Sequence, residues 1–355
     1  MKYALIGCGR VSKNHIKAAT LNDLEIVALC DIIPEKAQKL IDDFSLNNVE
    51  IFTDYKKMIS ETKPDFVAIA TDSGKHAEIA IYCAENKTNF IVEKPIAMSI
   101  QDADKIIEIV EENNVTACVS HQNRFNIAVQ HLHNAIKTDR FGKISHGSIN
   151  IRWHRGDEYY TAENWRGKWA SDGGTLMNQC IHGIDLLSWM LGEEVEEVYG
   201  MTNNAFHKCI EGEDIGVAVI RFKNGVVATV EGTVNCFEDF EQTLTIFGEN
   251  GTVRLGGHYA NKVDTWSFSD NLPEDDETLA VDEKAKNVYG NGHTSLYSDF
   301  IDSIENNRKP YVDLYVGKRV IEIVLAIYKS QKTGLPVKFP LKEFASIDMI
   351  GEFDK

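Results

Sequence analysis

The chain has 355 residues, more than one core of roughly 100–200 residues would hold, so two domains are expected. At 43% hydrophobic and 26% charged residues, its composition is that of an ordinary globular protein. A net charge of −17 excludes a broad basic surface for nucleic acid or anionic membrane, but leaves room for a local basic pocket that takes a small anion.

Elements alternate regularly up to about residue 120. KYALIG reads as a strand and 11–20 as a helix. LEIVALCD is a second strand, and 34–44 is a helix opening with Pro34 in its first turn. DFVAIAT (65–71), TNFIVEK (88–94) and VTACVS (115–120) are further apolar strands, separated by helices over 75–86 and 99–113. Continuous apolar strands alternating with helices predict a parallel sheet covered on both faces.

Beyond 120 the rhythm changes. A helix near 126–138 leads to a strand at 144–153, a polar and aromatic loop at 154–172, and a helix at 174–191. Strands with period-two alternation follow at 195–203, 214–222, 226–235, 241–248 and 251–255. Asn224-Gly225 and Asn250-Gly251 sit between pairs of them as hairpin turns. The acidic stretch 270–284 reads as a surface loop, and helices near 294–306 and 315–332 close the chain. The expected architecture is α/β: residues 1–120 a dinucleotide-type domain, and 121–355 an α+β domain with a large, mostly antiparallel open sheet. That sheet could leave one face for a homo-dimer or homo-tetramer.

The seven cysteines are scattered and never form CxxC, which predicts free thiols and a reducing, cytoplasmic setting. MKYALIGCGR enters structure at once, so no signal peptide is expected, and no apolar run is long enough to span a membrane.

Four features carry chemistry. In ALIGCGRVS, Gly7 allows a tight turn after the first strand and Gly9 a close approach of backbone to a pyrophosphate; Ser12 stands where a third glycine is usual. Asp31 ends the next strand about 20 residues on, placed to accept the ribose hydroxyls of NAD and repel the 2′-phosphate of NADP. IVEKP closes an apolar strand with Lys94, an ammonium that needs an acceptor such as a substrate oxygen; Pro95 could fix it through a cis bond. In GGTLMNQCIHGIDLL, residues Asn178, His182 and Asp185 recur at spacings of four and three, sharing one face of a helix. A solvated lysine and a core histidine bonded to a helix neighbour are the plain alternatives. A metal held by His182 and Asp185 with His154 or His121 lacks a ligand motif of known spacing, so no metal is expected.

Together IGCGRVSKNH, EKP, GGTLMNQCIHGIDLL and the late AIYKSQKTGLPV resemble the Gfo/Idh/MocA family of NAD(P)-dependent oxidoreductases over essentially the whole chain. The resemblance implies an N-terminal Rossmann domain, Lys94 and His182 as the catalytic pair, and a cofactor site including Gly7, Gly9, Arg10, Val11, Asp31, Thr71, His76, Glu93 and Lys94. Many members carry Asp four residues before the histidine; Asn178 replaces it here, which suits hydroxyl binding better than a proton relay.

Within the family, YYTAENWRGKWASDGGTLMNQCIHGIDLL looks most like the enzymes that oxidise C3 of UDP-N-acetylglucosaminuronic acid for bacterial surface polysaccharide, such as lipopolysaccharide O-antigen. The segment 152–169 turns locally basic and aromatic, and guanidinium groups suit carboxylate and phosphate. Arg155, Tyr159, Arg166 and Lys168, with Arg124 nearby in HQNRFN, are the candidate substrate contacts. The rivals are a dehydrogenase of a free sugar or inositol, and a non-catalytic regulator that senses a dinucleotide or sugar nucleotide.

Overall fold

The structure, a computed structural model, describes residues 1–192, 194–284 and 292–354. Two compact units are present. The first comprises the described residues within 1–97, 101–122 and 291–318; the second those within 98–100, 123–290 and 319–355. The helix near 294–306, expected with the second domain, therefore belongs to the first unit.

In the first unit six described strands, β1 (Lys2–Ile6), β2 (Glu25–Cys30), β3 (Glu50–Phe52), β4 (Phe66–Ile69), β5 (Asn89–Val92) and β6 (Ala117–Val119), form a parallel sheet in the order β3-β2-β1-β4-β5-β6. This is the doubly wound arrangement, with a topological switch between β1 and β4 where ligands collect. Every residue of β4 is buried, as a strand covered on both faces requires. β3 and the helix Tyr55–Thr62 were not anticipated: the strand has three residues, and the helix buries only Met58 and Ile59. Asp54 caps that helix by accepting from the Lys56 amide at 2.8 Å. The helix Gly292–Glu305 packs on the helix Ser12–Leu21, where Asn22 Nδ2 donates to the Thr294 carbonyl at 3.1 Å.

The second unit is built on β7 (Ile144–Arg152), β8 (Val195–Asn203), β9 (Ile215–Phe222), β10 (Val227–Thr233), β11 (Glu241–Gly248), β12 (Gly251–Gly256), β13 (Lys262–Phe268) and β14 (Val337–Lys338). Their order is β13-β12-β11-β7-β10-β9-β8-β14, antiparallel throughout except where β7 meets β10. Gly225, at φ +86°, turns the β9–β10 hairpin, and Glu249-Asn250 connects β11 to β12. Burial alternates along β8, β9 and β10. One face takes the helix Ile181–Leu191, while Tyr199, Met201, Val217, Val219 and Val227 are exposed. β13 and β14 were not anticipated, and the acidic stretch contains a short helix, Asp275–Leu279, tied down where Asp270 and Asp275 pair with Arg140. All seven cysteines are free thiols. Among the described residues no helix is long and apolar enough to cross a membrane.

Candidate active site

In the first unit the site starts at the glycine turn. Gly7 holds φ +96° and donates its amide to the Cys30 carbonyl at 2.8 Å; a Cβ there would collide with the Ala70 carbonyl. Gly9 is exposed, with no heavy atom within 4 Å of where a Cβ would point, so the backbone lies open to a bulky group. Ser12 is buried and its hydroxyl donates to the Gly9 carbonyl at 2.5 Å, which explains why serine serves where glycine is usual. Arg10 is exposed and Val11 half-buried beside the turn. Asp31 accepts from the Cys8 amide at 2.8 Å and the Ile33 amide at 2.9 Å, leaving carboxylate lone pairs for hydroxyl donors. Open backbone, a small Ser12 and a fixed carboxylate fit a dinucleotide with a free 2′-hydroxyl.

The ends of β4 and β5 supply the next residues. Thr71 is half-buried, its hydroxyl donating to the Asp72 carbonyl at 3.2 Å. Lys94 follows β5, half-buried, and the Lys94–Pro95 peptide is cis. The side chains of Glu93 and His76, both expected in the cofactor site, face inward. Glu93 is 6% exposed and accepts from His15 Nε2 at 3.1 Å; His76 is 1% exposed and its Nδ1 donates to the Pro95 carbonyl at 2.7 Å.

In the second unit, the expected single helix over 174–191 is two: Thr175–Asn178 and Ile181–Leu191. The Thr175 carbonyl accepts from both Gln179 N (2.8 Å) and Cys180 N (3.0 Å), a one-residue widening that breaks the four-residue step between Asn178 and His182. His182 lies half-buried in the first turn of the second helix. Asn178 Nδ2 donates to Asp172, a buried carboxylate whose other oxygen accepts from the Gly167 amide at 2.7 Å. Asp172 was not anticipated, though it directly precedes the glycine pair.

The loop brings Arg155, Tyr159 and Arg166 together. Arg166 lies with Cζ 4.2 Å from the Tyr159 ring centroid, and its Nη1 donates to the Tyr159 carbonyl at 2.7 Å. Arg155 approaches the same ring at 5.6 Å and pairs with Asp239 at 3.1 Å. Gln179, also missed, donates to the Tyr159 hydroxyl at 2.9 Å and so joins this group to the Asn178 helix. No carboxylate among the described residues pairs with Arg166, and its Nε is buried without a partner among them. Lys168 is exposed, and its carbonyl accepts from the Ser171, Asp172 and Gly173 amides.

Two residues near the site are taken up inside the second unit. Arg124 is 3% exposed, donates from Nε and Nη2 to both oxygens of Asp185 (2.8 and 2.6 Å), and stacks on Trp189, so its guanidinium is already engaged within the second unit. Asp185 is thereby engaged as well. In WRGKW the second tryptophan, Trp169, is fully buried against Tyr328, so it is a core residue.

Residues 1–121 match the family model described as "Oxidoreductase family, NAD-binding Rossmann fold", and 133–339 match "Oxidoreductase family, C-terminal alpha/beta domain". The chain belongs to the Gfo/Idh/MocA oxidoreductase family. Its cofactor is NAD, in keeping with the acid at Asp31 and with family neighbours crystallised with NADH. It is similar to the WlbA dehydrogenase of Bordetella pertussis, solved in complex with NADH and UDP-GlcNAcA: TM-score 0.87, 35% identity, 96% of this chain and 99% of that one. The WlbA dehydrogenase of Chromobacterium violaceum, in complex with the same two molecules, gives TM-score 0.88 and 30% identity over 96% of each chain. The myo-inositol 2-dehydrogenase of Thermotoga maritima is 22% identical, covering 95% of this chain and 98% of its own.

Proposed function

We propose that this NAD-dependent oxidoreductase oxidises the C3 hydroxyl of UDP-N-acetylglucosaminuronic acid to the 3-keto sugar nucleotide, in the cytoplasm, for bacterial surface polysaccharide. The observation that carries the reading is Arg166. In a chain with 54 acidic residues against 37 Lys and Arg, a guanidinium stacked on Tyr159 with no paired carboxylate among the described residues is suited to an anionic ligand. Arg155 and Lys168 would add donors for the uronic carboxylate and the diphosphate. Similarity to two proteins solved with UDP-GlcNAcA, at 35% and 30% identity, supports the same choice.

Bound NAD supplies the hydride acceptor. His182 takes the proton of the C3 hydroxyl, and a histidine suits that task near neutral pH. Lys94 donates to the same oxygen and stabilises the charge that develops on it. Asn178, oriented by Asp172, binds a neighbouring hydroxyl. The exposed apolar residues of β8, β9 and β10 suit self-association into a dimer or tetramer.

The test is incubation with NAD and UDP-N-acetylglucosaminuronic acid, following a product lighter by two hydrogens by mass spectrometry. His182→Asn should retain NADH binding and lose about 10²–10⁴-fold in turnover. Unchanged turnover in that variant, or no product in the wild type, refutes the assignment. Turnover of inositol or apiose instead would favour the second reading, which rests on relatives named myo-inositol 2-dehydrogenase and D-apiose dehydrogenase at 22% and 24% identity.

A further inference from the structure

Three buried histidines, each on a different helix, surround the residues on either side of Lys94. His15, on the helix that follows the glycine turn, donates from Nε2 to Glu93 Oε1 at 3.1 Å. His293, on the helix Gly292–Glu305, places its Nε2 3.6 Å from the same oxygen, with its ring edge-on to that of His15 at 5.4 Å. His76, on the helix His76–Glu85, donates from Nδ1 to the Pro95 carbonyl at 2.7 Å. None of the three is more than 4% exposed. The strand before the lysine is held as well: Glu93 N donates to the Ile69 carbonyl at 2.9 Å, and the Val92 carbonyl accepts from Ser120 N at 2.8 Å.

We propose that His15, His76 and His293 form a clamp that positions Lys94, the first two and last acting through its neighbours: His15 and His293 fix the Glu93 side chain, and His76 fixes the Pro95 carbonyl. They are positioning residues, not catalytic ones. The inference rests on the proposed role of Lys94 at the substrate oxygen.

The hydrogen-bond directions are consistent with this. Burial alone would raise the Glu93 carboxyl, but the hydrogen bond from His15 and the close approach of His293 outweigh it and hold it well below the usual carboxylate range. An ionised Glu93 only accepts, so His15 Nε2 carries the proton. His15 Nδ1 lies in hydrogen-bond contact with the Tyr297 hydroxyl at 2.7 Å, and that hydroxyl with the Tyr3 hydroxyl at 3.0 Å. Tyr3 lies on β1, so the chain of bonds anchors the lysine's flank to the sheet as well as to the glycine-turn helix. Burial lowers His76, while the Pro95 carbonyl at 2.7 Å from Nδ1 and the Thr71 carbonyl at 3.3 Å from Nε2 oppose this; the shorter contact ties the ring to Pro95. A misplacement of about 1 Å in such a group costs on the order of 10²-fold in rate, so a clamp far from the chemistry has leverage.

The experiment compares His76→Phe, His76→Gln and His293→Gln with wild type, by turnover, by NADH titration, and by ¹³C NMR of reductively methylated lysines with Lys94 assigned through Lys94→Arg. His76→Phe should lower kcat about 10- to 100-fold while NADH affinity stays within about threefold. His76→Gln, which offers an amide N–H to the same carbonyl, should keep more of the rate than Phe. The Lys94 resonance and its titration midpoint should move in His76→Phe and His293→Gln. Equal losses in the Phe and Gln variants, or losses in rate matched by losses in NADH affinity, overturn the clamp. If wild type does not turn over the uronic sugar nucleotide, the substrate assignment fails alone, and an unmoved Lys94 resonance remains the result that overturns the clamp. Stoichiometric zinc lost on His293→Gln also overturns it, since the ligand atoms of His15, Glu93 and His293 lie within 4.8 Å of one another and would then be a metal site.

Discussion

Glu213 should make the second unit less stable as pH rises, and Glu213→Gln should abolish that dependence. The side chain is fully buried beneath the Gly173–Gly174 turn, where a Cβ on Gly174 would collide with its Oε2. Oε1 accepts from the Leu176 amide at 2.7 Å and the Tyr328 hydroxyl at 3.0 Å; Oε2 is buried with no partner among the described residues. Burial raises the carboxyl from its ordinary 4.5 to about 8; the Leu176 amide and Tyr328 oppose this, and the charge of Asp214 adds to it. The folded state therefore holds a proton that the unfolded chain has lost. The stabilisation is full below pH 4.5 and is lost as pH climbs to about 8. Each pH unit in that window costs about 1.4 kcal/mol, or roughly 4 kcal/mol between pH 5 and 8. Glutamine stays neutral, so its stability relative to wild type should rise by that amount across the range. Urea unfolding followed by tryptophan fluorescence reads the right unit, since all 5 tryptophans, Trp153, Trp165, Trp169, Trp189 and Trp266, lie in it. A difference between the two proteins that stays flat with pH would refute the protonated assignment.

Asn178→Asp, which restores the acid many family members carry, should lower turnover by about tenfold or more at alkaline pH, because it sets a carboxylate against Asp172; partial recovery toward pH 6 is expected as the pair shares a proton, and faster turnover would contradict this. Arg124→Ala should cost the second unit about 3–5 kcal/mol in urea unfolding by leaving Asp185 buried and unpaired, with KM for the sugar nucleotide little changed. Asp31→Ala should weaken NAD binding about 10- to 100-fold in a fluorescence titration and narrow the preference over NADP, from the loss of charged hydrogen bonds to hydroxyls.

What the sequence made legible is what local pattern controls. Apolar runs in β1, β2, β4, β5 and β6 announce a sheet buried on both faces, and Gly7, Gly9 and Asp31 announce its ligand end, since turn, open backbone and acid all lie within one βαβ stretch. β3 escapes because three residues show no period, and the break after Asn178 escapes because one carbonyl taking two amides leaves no mark on residue types.

The state of each charged group was legible only where its partner lay close in sequence. Arg124 and Arg166 look alike in the chain: both are arginines among aromatic and polar neighbours. One is used up by Asp185, 61 residues away, and the other meets no carboxylate among the described residues. Glu93 is likewise claimed by His15, 78 residues upstream. Whether a charge is left over for a ligand depends on where every opposite charge has gone, and folding decides that. Arg124, Arg140, Arg152, Arg155, Arg254 and Arg308 all pair with carboxylates, so an arginine left over on an aromatic ring marks a ligand more sharply than any count of basic residues in its loop.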